Sequence, residues 1–272
     1  MQTVARTKKK LDMDTTMMKA GLWSGVVLVV GMVIAQGFLM RFIPAPSPDL
    51  PAQELTNNFI ERQDQIRIGT VMQCILWSFY PTWGIAMTVF MRKMERGYPF
   101  LTYSSIALIG GGSVFFILIP MTWAVVAFRA ETLDPSIVQV MNDWVWFDWL
   151  FTWPPFALWM IIIGMAIIRD QNHTRLYPRW VAYYNFWSAL FIFPAGLIAF
   201  FKTGPFSYSG FGAFWFPFAV FFGWMITMTV TTFQAVAREQ KRLELGDGVP
   251  DPDGEPVAPV GRPAVAVASA PA

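Results

Sequence analysis

Six long apolar runs without a charged side chain, parted by short charged loops, fix the solvent in which this chain folds. They are Ala20–Met40, Ile68–Met91, Gly97–Phe128, Trp149–Ile168, Trp180–Phe201 and Thr203–Ala237. Each meets the roughly 20 residues that a helix needs to cross a hydrocarbon core. With 55% hydrophobic residues in 272, the chain has more apolar surface than a water-soluble fold of its size buries. The pattern predicts an all-α, polytopic membrane helix bundle of about six transmembrane helices. It divides the chain into a basic tail at 1–19, a six-helix domain at 20–237 and a tail at 238–272. Two runs, Gly97–Phe128 and Thr203–Ala237, exceed 30 residues and leave room for a re-entrant or interfacial piece.

Charge gives the orientation. If the spans alternate, 15 of the 20 Lys and Arg residues fall on the side of the two termini, including Lys8, Lys9, Lys10, Arg92, Lys93, Arg96, Arg169, Arg175 and Arg179. Only Arg41, Arg62, Arg67, Arg129 and Lys202 fall on the other. The excess of basic loops on one side predicts that both termini are cytoplasmic and that the protein resides in the cell membrane. The first run is too long for a signal-peptide core and reads as a retained helix. Residues 1–19 are expected to lack regular structure away from lipid headgroups, and so is the Pro- and Ala-rich tail from about Leu245.

Local signals refine the loops. In the first outer loop, Leu55, Phe59, Ile60 and Ile66 recur at near-helical spacing after four prolines, which predicts an amphipathic helix or an extension of the second span. Asp134 followed by Pro135 is an N-cap and first-turn pair, so a helix starting there would pass Asn142, Asp143 and Asp148 before entering the bilayer as span four. Pro81 lies near the middle of span two. Pro120, Pro154, Pro155, Pro194 and Pro217 lie in the outer halves of spans three to six. Each removes a backbone donor, and kinks at a shared depth predict a vestibule facing outward. Gly21 and Gly25, and Gly110–Gly112, read as points of close helix approach.

The most distinctive stretch runs from Asn142 to Pro155, where Trp144, Trp146, Trp149 and Trp153 accompany Asp143 and Asp148. Trp146, Trp149 and Trp153 share one helical face, and the two carboxylates lie about 140° apart around a helix. An interfacial aromatic belt accounts for the tryptophans. An aromatic box with an acidic rim accounts for them too, and it suits a cation or a flat apolar molecule. The candidate ligand-binding set is therefore Asp148, Asp143, Trp144, Trp149, Trp153, Tyr80 and Trp83. Asp148 is its charge, unless Arg67 or Arg129 pairs with it. In span five, Asn185 and Ser188 read as helix-to-helix hydrogen bonding.

Several chemistries find no support. The single histidine, His173, falls in a charged loop, so this chain alone does not build a haem, copper or di-iron centre. No nucleotide loop, dinucleotide fingerprint or nucleophile elbow occurs. Neither a catalytic residue nor a cofactor is expected. The expected partners are the lipid bilayer, a hydrophobic or cationic small molecule and partner membrane subunits, with no nucleic acid. Two functions follow: transport or binding of a small molecule through the vestibule, or a non-catalytic subunit of a membrane redox or oxygenase complex. Carboxylate acid-base chemistry on a lipid-soluble substrate ranks below them.

Overall fold

In the computed structural model, backbone is described for residues 2–172 and 175–245, and side chains for 15–172 and 175–241. His173 and the tail beyond 245 lie outside the described residues. Among the described residues, six helical segments are long and apolar enough to cross a membrane: 15–39, 63–94, 100–129, 135–168, 179–199 and 204–241. This is a polytopic, all-α membrane bundle. Helix α1 (Gln2–Met32) is already helical at Gln2, where a tail without regular structure was expected, and it ends in a π-helical turn at Val33–Leu39.

Short contacts sort the loops into two ends. At one end Lys19 Nζ reaches Gln240 Oε1 at 3.1 Å, Lys93 pairs with Glu239 at 2.6 Å and Arg96 donates to the Gln171 carbonyl at 3.3 Å. At the other lies the loop helix α2 (Ala52–Glu61). It buries Leu55 and Phe59, as its amphipathic spacing predicts, while Ile60 is left exposed.

Prolines decide where the spans break. The second span is α3 (Gln63–Trp77) followed by α4 (Tyr80–Met94), interrupted at Ser78 and Phe79 just before Pro81. A proline has no N–H to close the helical ladder, so the carbonyl one turn earlier loses its usual donor. The hydroxyl of Ser24 on α1, which donates to the Gly21 carbonyl on its own helix at 2.6 Å, also lies 3.2 Å from the Phe79 carbonyl beside the break. The third span, α5 (Phe100–Arg129), carries Pro120 without interruption.

Span four is longer than its apolar run. Helix α6 (Pro135–Phe151) starts where Asp134 predicts, with the carboxylate accepting from Ser136 N at 2.9 Å, and α7 (Trp153–Ile168) continues it past Thr152 and Pro154–Pro155. Helix α8 (Arg179–Phe191) gives way to a 3₁₀ segment, Phe193–Ala199, at Pro194. The last span opens with a 3₁₀ turn at Gly204–Phe206 and a π turn at Phe211–Trp215. It becomes α9 (Phe216–Leu245) at Pro217, so the long sixth run opens with two short turns before its α-helix.

Packing places α1 against α4 and α9, α5 between α3, α4, α6 and α7, and α8 between α7 and α9. Gly21 and Gly25 make the first of these contacts possible. A Cβ on Gly25 would lie 2.2 Å from Trp83 Cδ1, and one on Gly21 would lie 3.0 Å from Ala86 Cβ. The triple glycine behaves differently. Gly112 packs against Tyr80 and Phe156, whereas nothing approaches Gly110 or Gly111 within 4 Å.

Candidate functional site

The bundle's interior is aromatic, and its rings fall into two groups. Trp83 on α4, Trp159 on α7 and Trp224 on α9 form a closed triangle with edge-to-face centroid distances of 5.8, 5.7 and 5.2 Å. All three are fully buried. Each indole N–H has its own acceptor: Trp83 donates to Thr229 Oγ1 at 2.9 Å, Trp159 to Ser105 Oγ at 2.5 Å and Trp224 to Asn185 Oδ1 at 2.8 Å. Asn185 also donates to the Val181 carbonyl one turn back on its own helix at 2.8 Å, so it is the Trp224–Asn185 bond that joins α9 to α8. Ring burial and a satisfied N–H together make this triangle an architectural core.

The second group centres on Phe116 of α5. Trp77 stacks flat on Phe116 at 3.8 Å and meets Trp149 edge-on at 5.9 Å, while Tyr80 meets Phe116 at 4.9 Å. Here the polar atoms go without partners. Trp77 Nε1, Tyr80 Oη and Trp149 Nε1 are all buried with no hydrogen bond in the protein, as is Trp146 Nε1 in a separate stack with Tyr208 and Phe214. A donor left unsatisfied in this way costs about 1–3 kcal/mol.

Next to this second group the packing opens. A recess enters between α5, α6, α7, the 3₁₀ segment after α8, and α9. Phe116 contributes from α5, Trp149 and Leu150 from α6, and Trp153 and Phe156 from the start of α7. Ile192 and Ala195 flank Pro194, and Pro217, Phe218 and Phe221 come from the last span. Its empty space is about 460 Å³ with the open mouth included, of which about 50 Å³ admits the centre of a water-sized sphere. No ionisable side chain lines it. A second, more open groove, about 690 Å³ with its mouth included, runs along Tyr184, Trp187, Ser188, Phe191 and Val220 between α8 and α9.

The residues singled out by sequence are thus scattered. Trp149 and Trp153 meet at the recess. Tyr80 is fully buried one ring away, packed on Phe116 and Phe156, both of which line the recess. Trp83 belongs to the satisfied triangle. Trp144 points out of the bundle, 64% exposed. Asp143 accepts a 2.7 Å hydrogen bond from the Tyr208 hydroxyl, and Tyr208 stacks on Trp146 at 5.8 Å.

Asp148 is half-buried, and its Oδ2 has no partner. The proposed cationic partners are engaged elsewhere: Arg67 pairs with Asp64 at 3.6 Å and, like Arg129, lies over the Phe128 ring. Among the described residues, no three His, Cys, Asp or Glu side chains converge as a metal site would require.

Sequence reasoning missed Phe116, Phe156, Phe218 and Phe221, which resemble any lipid-facing phenylalanine. The proline pattern was the usable signal, because Pro155, Pro194 and Pro217 each adjoin or line the recess. No protein-family model, no curated protein and no solved structure matches this chain.

Proposed function

We propose that this protein binds a flat, apolar small molecule within the membrane, in the recess between α5, α6, α7, α8 and α9, as a carrier or receptor for it. The observation that carries this reading is an interhelical recess of about 460 Å³ lined only by apolar and aromatic side chains. Small-molecule sites are concave and mostly apolar, as this recess is. Ring faces at Phe116, Trp149 and Phe156 suit stacking. A cation is the poorer occupant, because the carboxylates of Asp143 and Asp148 are not in the lining.

Both termini are assigned to the cytoplasm on the strength of the 15 basic residues on their side against five on the other. The recess then opens in the outer half of the membrane.

The test is binding of an environment-sensitive apolar fluorophore to the full chain in lipid nanodiscs. Ala195→Trp should intrude on the recess and abolish saturable binding, with an unchanged helical spectrum and monodisperse elution showing that the fold survives. Unchanged binding in that variant would remove the recess as the site. Replacing Asp148 with Asn should leave binding intact, whereas loss of binding would restore the acidic vestibule.

A second reading, a non-catalytic subunit of a membrane enzyme complex, is favoured by one stripe on α6. Ile137, Val140, Trp144, Phe147 and Phe151 are exposed at alternating spacings of three and four residues, beside the unpartnered Asp148. Such a seam suits a partner helix. Native mass spectrometry of the gently solubilised protein separates the readings: a stoichiometric protein partner supports the subunit, and a lone chain retaining a small molecule supports the recess.

A further inference from the structure

We infer that the occupant of the recess carries hydrogen-bond acceptors of the carbonyl type on a planar ring, the chemistry of a quinone or a cyclic ketone. This rests on the recess being a binding site, and it deepens that reading by naming the ligand's polar groups.

The argument begins with the pairing of polar atoms. Buried donors in folded proteins almost always find an acceptor, and exceptions in a native structure mark a strain reservoir, a water or a ligand. In the triangle of Trp83, Trp159 and Trp224 the rule holds at every indole. It fails at Trp146 Nε1, packed on Tyr208 and Phe214 away from the lining, and it fails at two donors around the recess. Trp149 lines the recess and its Nε1 has no acceptor. Tyr80, with none of its surface exposed, packs on Phe116 and Phe156 of the lining, and its hydroxyl also lacks a partner.

An indole N–H only donates, and a phenol donates more readily than it accepts. Both groups therefore call for an acceptor. Trp77 Nε1 is orphaned too, but Gln73 Oε1 is an unpartnered acceptor one helical turn away, so that pair can be reconciled within the protein. Trp149 and Tyr80 have no such neighbour one turn along their helices. Asp148 Oδ2 adjoins Trp149 in sequence only, and successive side chains on a helix do not face each other.

A cation would add charge where the free groups are already the positive ends of N–H and O–H bonds. A pure hydrocarbon would leave both donors unpaired. A planar ring bearing carbonyl oxygens stacks on Phe116 and Phe156 and supplies the missing acceptors. Because the two donor atoms are nearly inaccessible in the empty recess, binding includes a small shift of the Phe116 and Phe156 rings.

The experiment compares 2,3-dimethyl-1,4-naphthoquinone with 2,3-dimethylnaphthalene, the same shape without the carbonyls. Both bind to the full chain in nanodiscs, with empty nanodiscs correcting for lipid partition. The quinone should bind about tenfold tighter, as one or two net hydrogen bonds allow. Its carbonyl stretch should move to lower frequency on binding. Trp149→Phe and Tyr80→Phe should each shrink that preference and reverse part of the infrared shift, the quinone losing more affinity than the hydrocarbon in both.

Equal binding of the two probes to wild type would overturn the carbonyl inference and leave the recess standing. A quinone preference that survives both variants, or survives Ala195→Trp, would place its binding elsewhere and overturn the inference as well. If neither probe bound, the recess reading itself would fall, and the orphan donors would be assigned to an ordered water alone.

Discussion

The two aromatic clusters are neighbours that share α4 and their chemistry, yet one is complete and the other is not. Trp83, Trp159 and Trp224 pack edge to face with every indole N–H bonded across to another helix. One ring layer away, Trp77, Tyr80 and Trp149 surround Phe116 with every N–H and O–H unbonded. In lipid, where water does not repair such defects, a missing partner is more costly than in a soluble core. The complete cluster explains how the bundle holds together. The incomplete one borders the recess in which we propose that a small molecule binds.

Truncating the two clusters should separate them most. Trp83→Ala removes the indole that α1 presses on at Gly25 and should cost about 3–5 kcal/mol of stability, as large aromatic deletions in well-packed cores do. The same truncation at Trp149, half-buried beside a recess, should cost less than about half of that. Urea unfolding in mixed micelles checks the difference. Equal losses would show that the recess is as tightly packed as the triangle.

A smaller and sharper contrast comes from deleting only polar atoms. Trp224→Phe keeps most of the ring but strips Asn185 Oδ1 of its donor in a fully buried position, and it should destabilise by about 1–3 kcal/mol. Tyr80→Phe removes a hydroxyl that bonds to nothing, so the empty protein should melt at the same or a higher temperature, a gain of up to about 1 kcal/mol. Were Tyr80→Phe as damaging as Trp224→Phe, the hydroxyl would have a permanent partner and the distinction between the clusters would collapse.

Much of the fold was legible because lipid imposes a length rule that sequence expresses directly. All six apolar runs correspond to membrane-length helices, and Asp134–Pro135 located the start of α6 to the residue. The proline breaks at 81, 154–155, 194 and 217 were legible for the same reason: a missing N–H is a local fact. Helical spacing brought Trp149 and Trp153 together. What stayed hidden was pairing across helices. Nothing local distinguishes Trp83, satisfied by a threonine 146 residues away, from Trp149, satisfied by nothing. The charged end of the prediction fared differently. Asp148 drew notice as a carboxylate in an apolar run, yet the lining of the recess is set by phenylalanines whose sequence context is indistinguishable from that of lipid-facing ones.

The smallest expected effect extends the comparison from donors to carboxylates. Asp134 is a partnered carboxylate on the surface, bonded to the backbone N and hydroxyl of Ser136, and those bonds hold its pKa below the usual carboxylate value. Its folded pKa is therefore depressed. The stabilisation it gives α6 is present above the unfolded value of about 4 and is lost as pH falls through the lower folded value. Asp134→Ala should thus melt slightly below wild type at pH 7, and the two should converge toward pH 3. Asp134→Asn, which keeps a capping acceptor, should follow wild type at neutral pH and lack most of the pH response. A gap between Asp134→Ala and wild type that stayed constant down to pH 3 would mean that the carboxylate's charge plays no part in starting α6. Satisfaction of polar groups would then distinguish the two tryptophan clusters without extending to this carboxylate.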